Sequence, residues 1–362
     1  MKPQSFEYVA PTTLDEALDL LAEHADAASV LAGGQSLLPL LNLRLARPEL
    51  LIDINRLPGL DRLELTAASP VGPAPAGDAG QVGPAPAAPP EPAPAGAGGS
   101  GLEAAGGVGG AGSAGGVVGG LRVGALVRHR ALEGAPEPGP LGRLLARVAP
   151  RVGHPPIRNR GTVCGSLAHA DPAAEWCLVG LAAGAEVGLA SAAGSRRLTV
   201  DALLDSPFAT DRRPDELITE VTFPRWAPAE VGCGFVERAR TAGSFAQAAA
   251  CVVVRWAGPG AGADDVVAVR IAVAGFGGRP VLLPGAAAAL VGRPLTGGQS
   301  AAAAAAAAAE ITPRDGAGPA GHQRAVVAAL VADALDRSAR DRGGPDRTDL
   351  NGAGRPRLDL AG

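Results

Sequence analysis

Between about Ala67 and Gly120 the 362-residue chain turns into Pro-Ala and then Gly-Ala-Val repeats containing no lysine, arginine or aromatic residue. Such a stretch cannot bury enough apolar surface to offset the entropy of ordering it. It reads as a disordered insertion, and the fold has to be built on either side of it. The segments that meet it, Leu63-Glu64-Leu65 and Leu121-Arg122-Val123-Gly124-Ala125, both have strand character. They are expected to form a hairpin whose turn has grown. Stretching a loop from a few residues to about fifty costs only about 2 kcal/mol by the logarithmic closure law, which a stable domain tolerates.

The rest of the chain is globular in character. With 47% hydrophobic and 19% charged residues it has material for two or three compact units. A formal net charge of -4, with three Trp, one Tyr and six Phe, leaves little for phosphate steering or base stacking, so no nucleic acid partner is expected. Met1 to Tyr8 has no apolar signal region and no later run resembles a membrane span, so the expected location is cytoplasmic. Cys164, Cys177, Cys233 and Cys251 form no C-x-x-C pair, which argues against a disulfide framework and against an iron-sulfur cluster held by this chain.

Helical spacing of Leu14, Ala17, Leu18 and Leu21 behind Thr12 and Thr13 predicts a helix over 13–23, and Leu50 to Ile54 reads as a buried strand. Leu40, Leu41, Leu43 and Leu45 read as a continuing apolar surface. A helix over 141–148 and a strand near 185–189 follow. Pro224 with Arg225 to Glu230 is taken as the boundary between a first domain, 1–225, and a second, 226–338. In the second, strands are expected over 232–240, 244–254 and 266–274. Two helices close it: one through Ala301 to Ala309 capped by Ser300, the other over 322–337, before a loose tail.

Two glycine-centred stretches carry the chemistry. Ala32-Gly33-Gly34-Gln35-Ser36-Leu37 follows the strand-like Ser29-Val30-Leu31, and Arg160-Gly161-Thr162-Val163-Cys164-Gly165-Ser166 precedes His169-Ala170-Asp171-Pro172. Consecutive N-H groups in glycine-permitted conformations make an anion-binding nest, with Ser36, Thr162 and Ser166 as added donors and Asp171 as an acceptor for ribose hydroxyls. The first stretch equally suits a tight strand-to-helix turn, and the second a hairpin turn before a helix. Glycine is 52 of the residues, so Gly-Gly alone proves nothing. Gly96 to Gly101 and Gly107 to Gly112 both satisfy G-x-G-x-x-G with no strand before or helix after, and are not read as dinucleotide fingerprints. His169, Asp171, Glu175 and Cys177 fit no zinc spacing. Asp171-Pro172-Ala173-Ala174-Glu175 reads instead as a helix start with Asp171 as cap and Pro172 at the first position.

Taken in order, Phe6-x-Tyr8-x-x-Pro11-x-Thr13-Leu14-x-x-Ala17, Ala32 to Pro39, Ile157 to Val163, Ser166 to Glu175, Pro214 to Glu220, Arg240-x-x-Gly243-Ser244-Phe245-Ala246 and Gly275 to Pro280 resemble the FAD-binding medium subunit of molybdenum hydroxylases. That family includes the carbon monoxide dehydrogenase flavoprotein and the FAD domain of xanthine dehydrogenase. The resemblance implies an α+β fold: a two-subdomain PCMH-type FAD-binding domain, then a C-terminal domain with a small antiparallel sheet and helices. It implies FAD as cofactor, with Ala32, Gly33, Gly34, Gln35, Ser36 and Leu37 on the diphosphate. Thr162, Cys164, Gly165 and Ser166 would complete the grip, Asp171 would hold the sugar or ribityl region, and Phe208 would lie near the isoalloxazine ring. No catalytic side chain and no metal ligand is expected.

It further implies an electron-transfer subunit beside a large molybdopterin subunit and a small [2Fe-2S] subunit, in a dimer of heterotrimers. The sequence departs from the family pattern in three places. Cys164 stands at the first glycine of Thr-x-Gly-Gly, Ser206-Pro207-Phe208 replaces Gly-Pro-Tyr, and His322-Gln323-Arg324 replaces Tyr-Arg-Arg. Two other readings are a self-contained flavin oxidase of the vanillyl-alcohol-oxidase type and a scaffold subunit without flavin.

Overall fold

The computed structural model of the chain describes residues 2–67 and 117–342, apart from Ala242, Ala261, Gly277, Gly316 and Ala317. Most of the insertion expected to be disordered, and all residues beyond 342, lie outside the described residues.

The N-terminal layer is a small parallel sheet of β1 (Glu7–Val9), β2 (Ala28–Leu31) and β3 (Leu50–Asp53), with β3 in the middle. Helix α1 (Leu14–His24) links β1 to β2. Thr13 starts it: its hydroxyl accepts from Glu16 N, and the Glu16 carboxylate accepts from Thr12 N, satisfying N-H groups that the helix cannot. Ala17, Leu18 and Leu21 turn inward. The short α2 (Leu37–Asn42) follows the first glycine stretch. Leu41 is buried, but Leu38, Leu43 and Leu45 are exposed, so the leucine run is not the continuous core surface its composition suggests.

The second layer begins with β4 (Leu63–Thr66) and β5 (Val117–Gly124), paired antiparallel with Leu65 opposite Leu121. The expected hairpin is present, and β5 starts at Val117 rather than Leu121. Four helices follow: α3 (Pro140–Val148), α4 (Pro155–Arg158), α5 (Val163–His169) and α6 (Glu175–Ala183). Then come β6 (Glu186–Ser191), β7 (Gly194–Thr199), the one-turn α7 (Val200–Leu203), the ribbon β8 (Leu204–Ser206) with β9 (Ala209–Thr210), and β10 (Leu217–Trp226). The sheet order is β4-β5-β10-β6-β7, antiparallel throughout. Pro224 does not end β10. It pairs with Gly120 of β5 where no β6 residue stands opposite, so its missing N-H breaks no ladder.

Two further expectations are corrected here. Helix α6 begins at Glu175 with Ala174 as cap, because Asp171 closes a turn of its own: its carboxylate accepts from Ala173 N at 2.8 Å and its carbonyl from Ala174 N at 2.9 Å. The second glycine stretch is not a loop throughout, since α5 starts within it.

The last layer is an antiparallel sheet of β11 (Val231–Ala239), β12 (Ala246–Trp256), β13 (Val266–Ala274) and β14 (Val281–Leu282). Helices α8 (Pro284–Ala288), α9 (Gly297–Glu310) and α10 (Ala320–Arg342) complete the described chain. β12 is apolar on both faces because each face meets a different core. Ala249, Cys251 and Val253 join the core shared with α3 and α6, while Ala250, Val252 and Val254 join that of α9 and α10. Helix α9 is capped by Thr296, whose hydroxyl accepts from Gln299 N, and Ser300 lies buried one turn inside. Helix α10 runs on to Arg342, past the expected end at 337. Asp341 is buried there between Arg143 at 2.8 Å, Arg147 at 3.3 Å and the Cys233 N-H at 3.0 Å.

Among the described residues no helix is long and apolar enough to cross a membrane.

Candidate functional site

The two glycine stretches close on one another. In the first, β2 ends at Leu31, and Gly34 takes φ = 74°, a left-handed conformation that glycine adopts without strain. Gly33 lies so close to the second stretch that a Cβ there would collide with the Arg160 carbonyl oxygen. Across this turn the N-H groups of Gly33, Gly34, Gln35 and Ser36 have no hydrogen-bond acceptor among the described residues. The Ser36 hydroxyl caps nothing.

In the second stretch Thr162 is the cap of α5. Its hydroxyl accepts from Gly165 N at 3.0 Å and its carbonyl from Ser166 N at 3.1 Å. Gly165 and Ser166 N-H are therefore spoken for, Val163 N-H belongs to the bridge between Arg128 and Thr162, and the first-turn group left over is that of Cys164. The Cys164 side chain does not obstruct this group. It turns into the core, 3% exposed, with Sγ 3.7 Å from the Val123 carbonyl, and burial drives the thiol far above its ordinary range.

Between the stretches is a cavity of about 430 Å³. Ala32, Gly33, Gly34, Gln35, Ser36, Leu37, Thr162, Cys164, Gly165, Ser166 and Asp171 all line it. Phe208 does not. It sits at φ = 61° in the turn between β8 and β9, its ring 5.2 Å from that of His169, and lines an adjoining cavity that shares Asp171.

Sequence reasoning missed several residues on or behind this wall. Glu175, 6% exposed, faces the cavity, and burial with the negative charges of Glu237 and Asp171 pushes its carboxyl up to about 8. His129 is held at 2.9 Å by the Trp176 indole N-H on Nδ1, which places its proton on Nε2. Burial, with Arg158 and Arg128 nearby, pushes it down to about 4, so it is neutral. The turn of Gly243, Ser244 and Phe245 reaches the rim. Asn55 and Arg128 stand behind the glycine turns, bonded to their carbonyl oxygens. Glu175 was hidden by its place in an expected helical first turn, and the other contacts join residues distant in sequence.

Unpaired N-H groups from two backbone turns, facing one cavity, suit a diphosphate. Fold and site together define a protein that binds a dinucleotide-type cofactor. Comparison with known proteins narrows this. Residues 4–70 and 116–226 match the family described as the FAD binding domain in molybdopterin dehydrogenase, and 235–338 match the CO dehydrogenase flavoprotein C-terminal domain. The nicotine 6-hydroxylase medium subunit of Paenarthrobacter nicotinovorans is 32% identical over 82% of this chain and 83% of its own. The carbon monoxide dehydrogenase medium chain of Hydrogenophaga pseudoflava is 28% identical over 82% of this chain and 83% of its own.

Among solved structures, carbon monoxide dehydrogenase from Hydrogenophaga pseudoflava superposes with a TM-score of 0.73 at 29% identity, covering 94% of this chain and 99% of that one. Quinoline 2-oxidoreductase from Pseudomonas putida 86 gives 0.71 at 28%, again covering 94% and 99%. The chain belongs to the FAD-binding medium subunits of the molybdenum hydroxylases, oxidoreductase subunits that carry FAD.

Proposed function

We infer that this chain is the electron-transfer subunit of a molybdopterin-dependent dehydrogenase or hydroxylase. It would receive electrons from [2Fe-2S] clusters on a small partner subunit and deliver them to an external acceptor, while a large molybdopterin subunit acts on the substrate. Bound FAD supplies the redox chemistry, because a flavin exchanges electrons singly or in pairs. The chain's own residues bind and orient it. The N-H groups of Gly33, Gly34, Gln35 and Ser36, with that of Cys164, would hold the diphosphate. Asp171 would take the sugar or ribityl hydroxyls, and Phe208, at the adjoining cavity, would stand beside the ring.

The observation that carries this reading is the set of acceptor-less N-H groups on both sides of one cavity. The relatives whose names include a medium chain or medium subunit support the division of labour. A dimer of heterotrimers is the assembly we propose for it.

The test mixes the oxidised chain, under anaerobic conditions, with the partner [2Fe-2S] subunit reduced beforehand and freed of reductant. Loss of the yellow flavin absorbance is expected. Unchanged absorbance in a chain that holds FAD would overturn the electron route. Absence of flavin after heat denaturation would favour a scaffold subunit, and substrate turnover by the chain alone would favour a self-contained oxidase.

A further inference from the structure

The two glycine turns come from separate parts of the chain, and something must set their spacing and the direction of their peptide planes. Asn55 Nδ2 donates to the Ala32 carbonyl at 2.8 Å, and Asn55 Oδ1 accepts from Arg128 Nη2 at 2.6 Å. Arg128 Nη1 in turn donates to the Arg160 carbonyl at 2.7 Å. The relay thus joins a carbonyl of the first turn to a carbonyl of the second. Asp53 anchors it from below: its Oδ1 accepts from both Asn55 N and Asn55 Nδ2, and its Oδ2 accepts from the Tyr8 hydroxyl at 2.6 Å.

The relay also has a direction. The described peptides are all trans, so the Gly33 N-H points opposite to the Ala32 carbonyl that Asn55 holds, away from the relay. On the other side, Arg128 bridges to Thr162 and the His129 N-H donates to the Gly161 carbonyl at 3.0 Å, fixing the segment around Arg128 against the second turn. Neither Arg128 nor Arg160 forms an ion pair with a carboxylate among the described residues. The Arg128 guanidinium, with the charges of Asp53 and Asp61 near it but no direct ion pair, therefore spends its hydrogen bonds on the relay. A guanidinium is suited to this place because its planar fork reaches two acceptors at once.

We propose that Arg128 and Asn55 are positioning residues for the cofactor diphosphate, a relay that couples the two glycine turns and aims the N-H groups of the first at the ligand. This rests on the FAD reading above. Neither residue lines the cavity, so they act through the turns and not by touching the cofactor.

The test is a double-mutant cycle on FAD binding to the full chain stripped of flavin, using R128Q, N55A and the double variant, with the thermal midpoint of each flavin-free protein as a control. Each single variant is expected to raise the Kd for FAD about tenfold or more, since a hydrogen bond to a charged group is lost. The double variant should be no more than about threefold weaker than either single, because one relay is broken once. The phosphorus resonances of bound FAD should shift in both singles. R128K, which keeps the charge but not the fork, should bind FAD more weakly than wild type and fold as well. Affinities within about twofold of wild type for R128Q and R128K, or a double variant showing the full product of the single effects, would overturn the proposal. A wild-type chain that binds no FAD would overturn the FAD reading itself.

Discussion

Gly33 has no room for a side chain because the Arg160 carbonyl occupies the place of its Cβ, and Gly34 adopts a conformation that other residues rarely take. These glycines are legible in the sequence because the constraint is local: a strand, a turn that needs glycine, a helix. Glu175 is the opposite case. Nothing local to it says that the charge of Glu237, on β11, will act on it or that the fold will bury it at the start of α6.

The consequence is a pH dependence. The ordinary value of 4.5 is raised to about 8 in the folded chain, so between those limits the native state keeps a proton that the unfolded state releases. The contribution is fully present below 4.5 and is lost as pH rises to about 8. In urea titrations of the flavin-free chain, E175Q is therefore expected to lose less stability than wild type as pH rises from about 5 to about 8, by up to about 1.4 kcal/mol per pH unit. Parallel profiles for the two proteins would contradict the burial argument.

Elements with their own start signals were readable: α1 from the Thr13 cap and its helical leucines, and β12 from its unbroken apolar run. The errors are at ends decided by distant groups. Helix α10 reads as fraying after 337 because its last turns are charged, yet Asp341 meets Arg143 from 198 residues away. Gly232 and Gly234 allow this approach, since a Cβ at either would strike the carbonyl of Ser338 or Ala334. Asp341 is a buried carboxylate whose removal strands two arginines. D341A is expected to cost about 3 to 5 kcal/mol in denaturant unfolding. A chain truncated before Ser338 should fare worse, having lost the buried Ser338 as well. A loss below about 1 kcal/mol in D341A would show that the end of α10 is held by apolar packing alone.

At the scale of the whole molecule, the hairpin of β4 and β5 was legible because its two halves flank the compositional break, and Thr66 stands opposite Gly120. Replacing residues 68–116 with a short turn should leave FAD binding unchanged and stability equal or higher by about 1 to 2 kcal/mol, from the smaller closure entropy. Loss of FAD in that variant would give the segment a part in the site. The relay from Ala32 through Asn55 and Arg128 to Arg160 escaped sequence reasoning for a related reason: its links span 23, 73 and 32 residues. The family motifs mark the glycine turns but not the side chains behind them.

The central claim is that backbone N-H groups from both glycine turns hold the cofactor by its diphosphate. Titration of the flavin-free full chain with FAD and with riboflavin, which has the same ring system and no phosphate, tests it most directly. The expected result is one FAD per chain with riboflavin bound at least about a hundredfold more weakly, the order expected when several charge-assisted hydrogen bonds are lost. Equal affinity for the two flavins would contradict it.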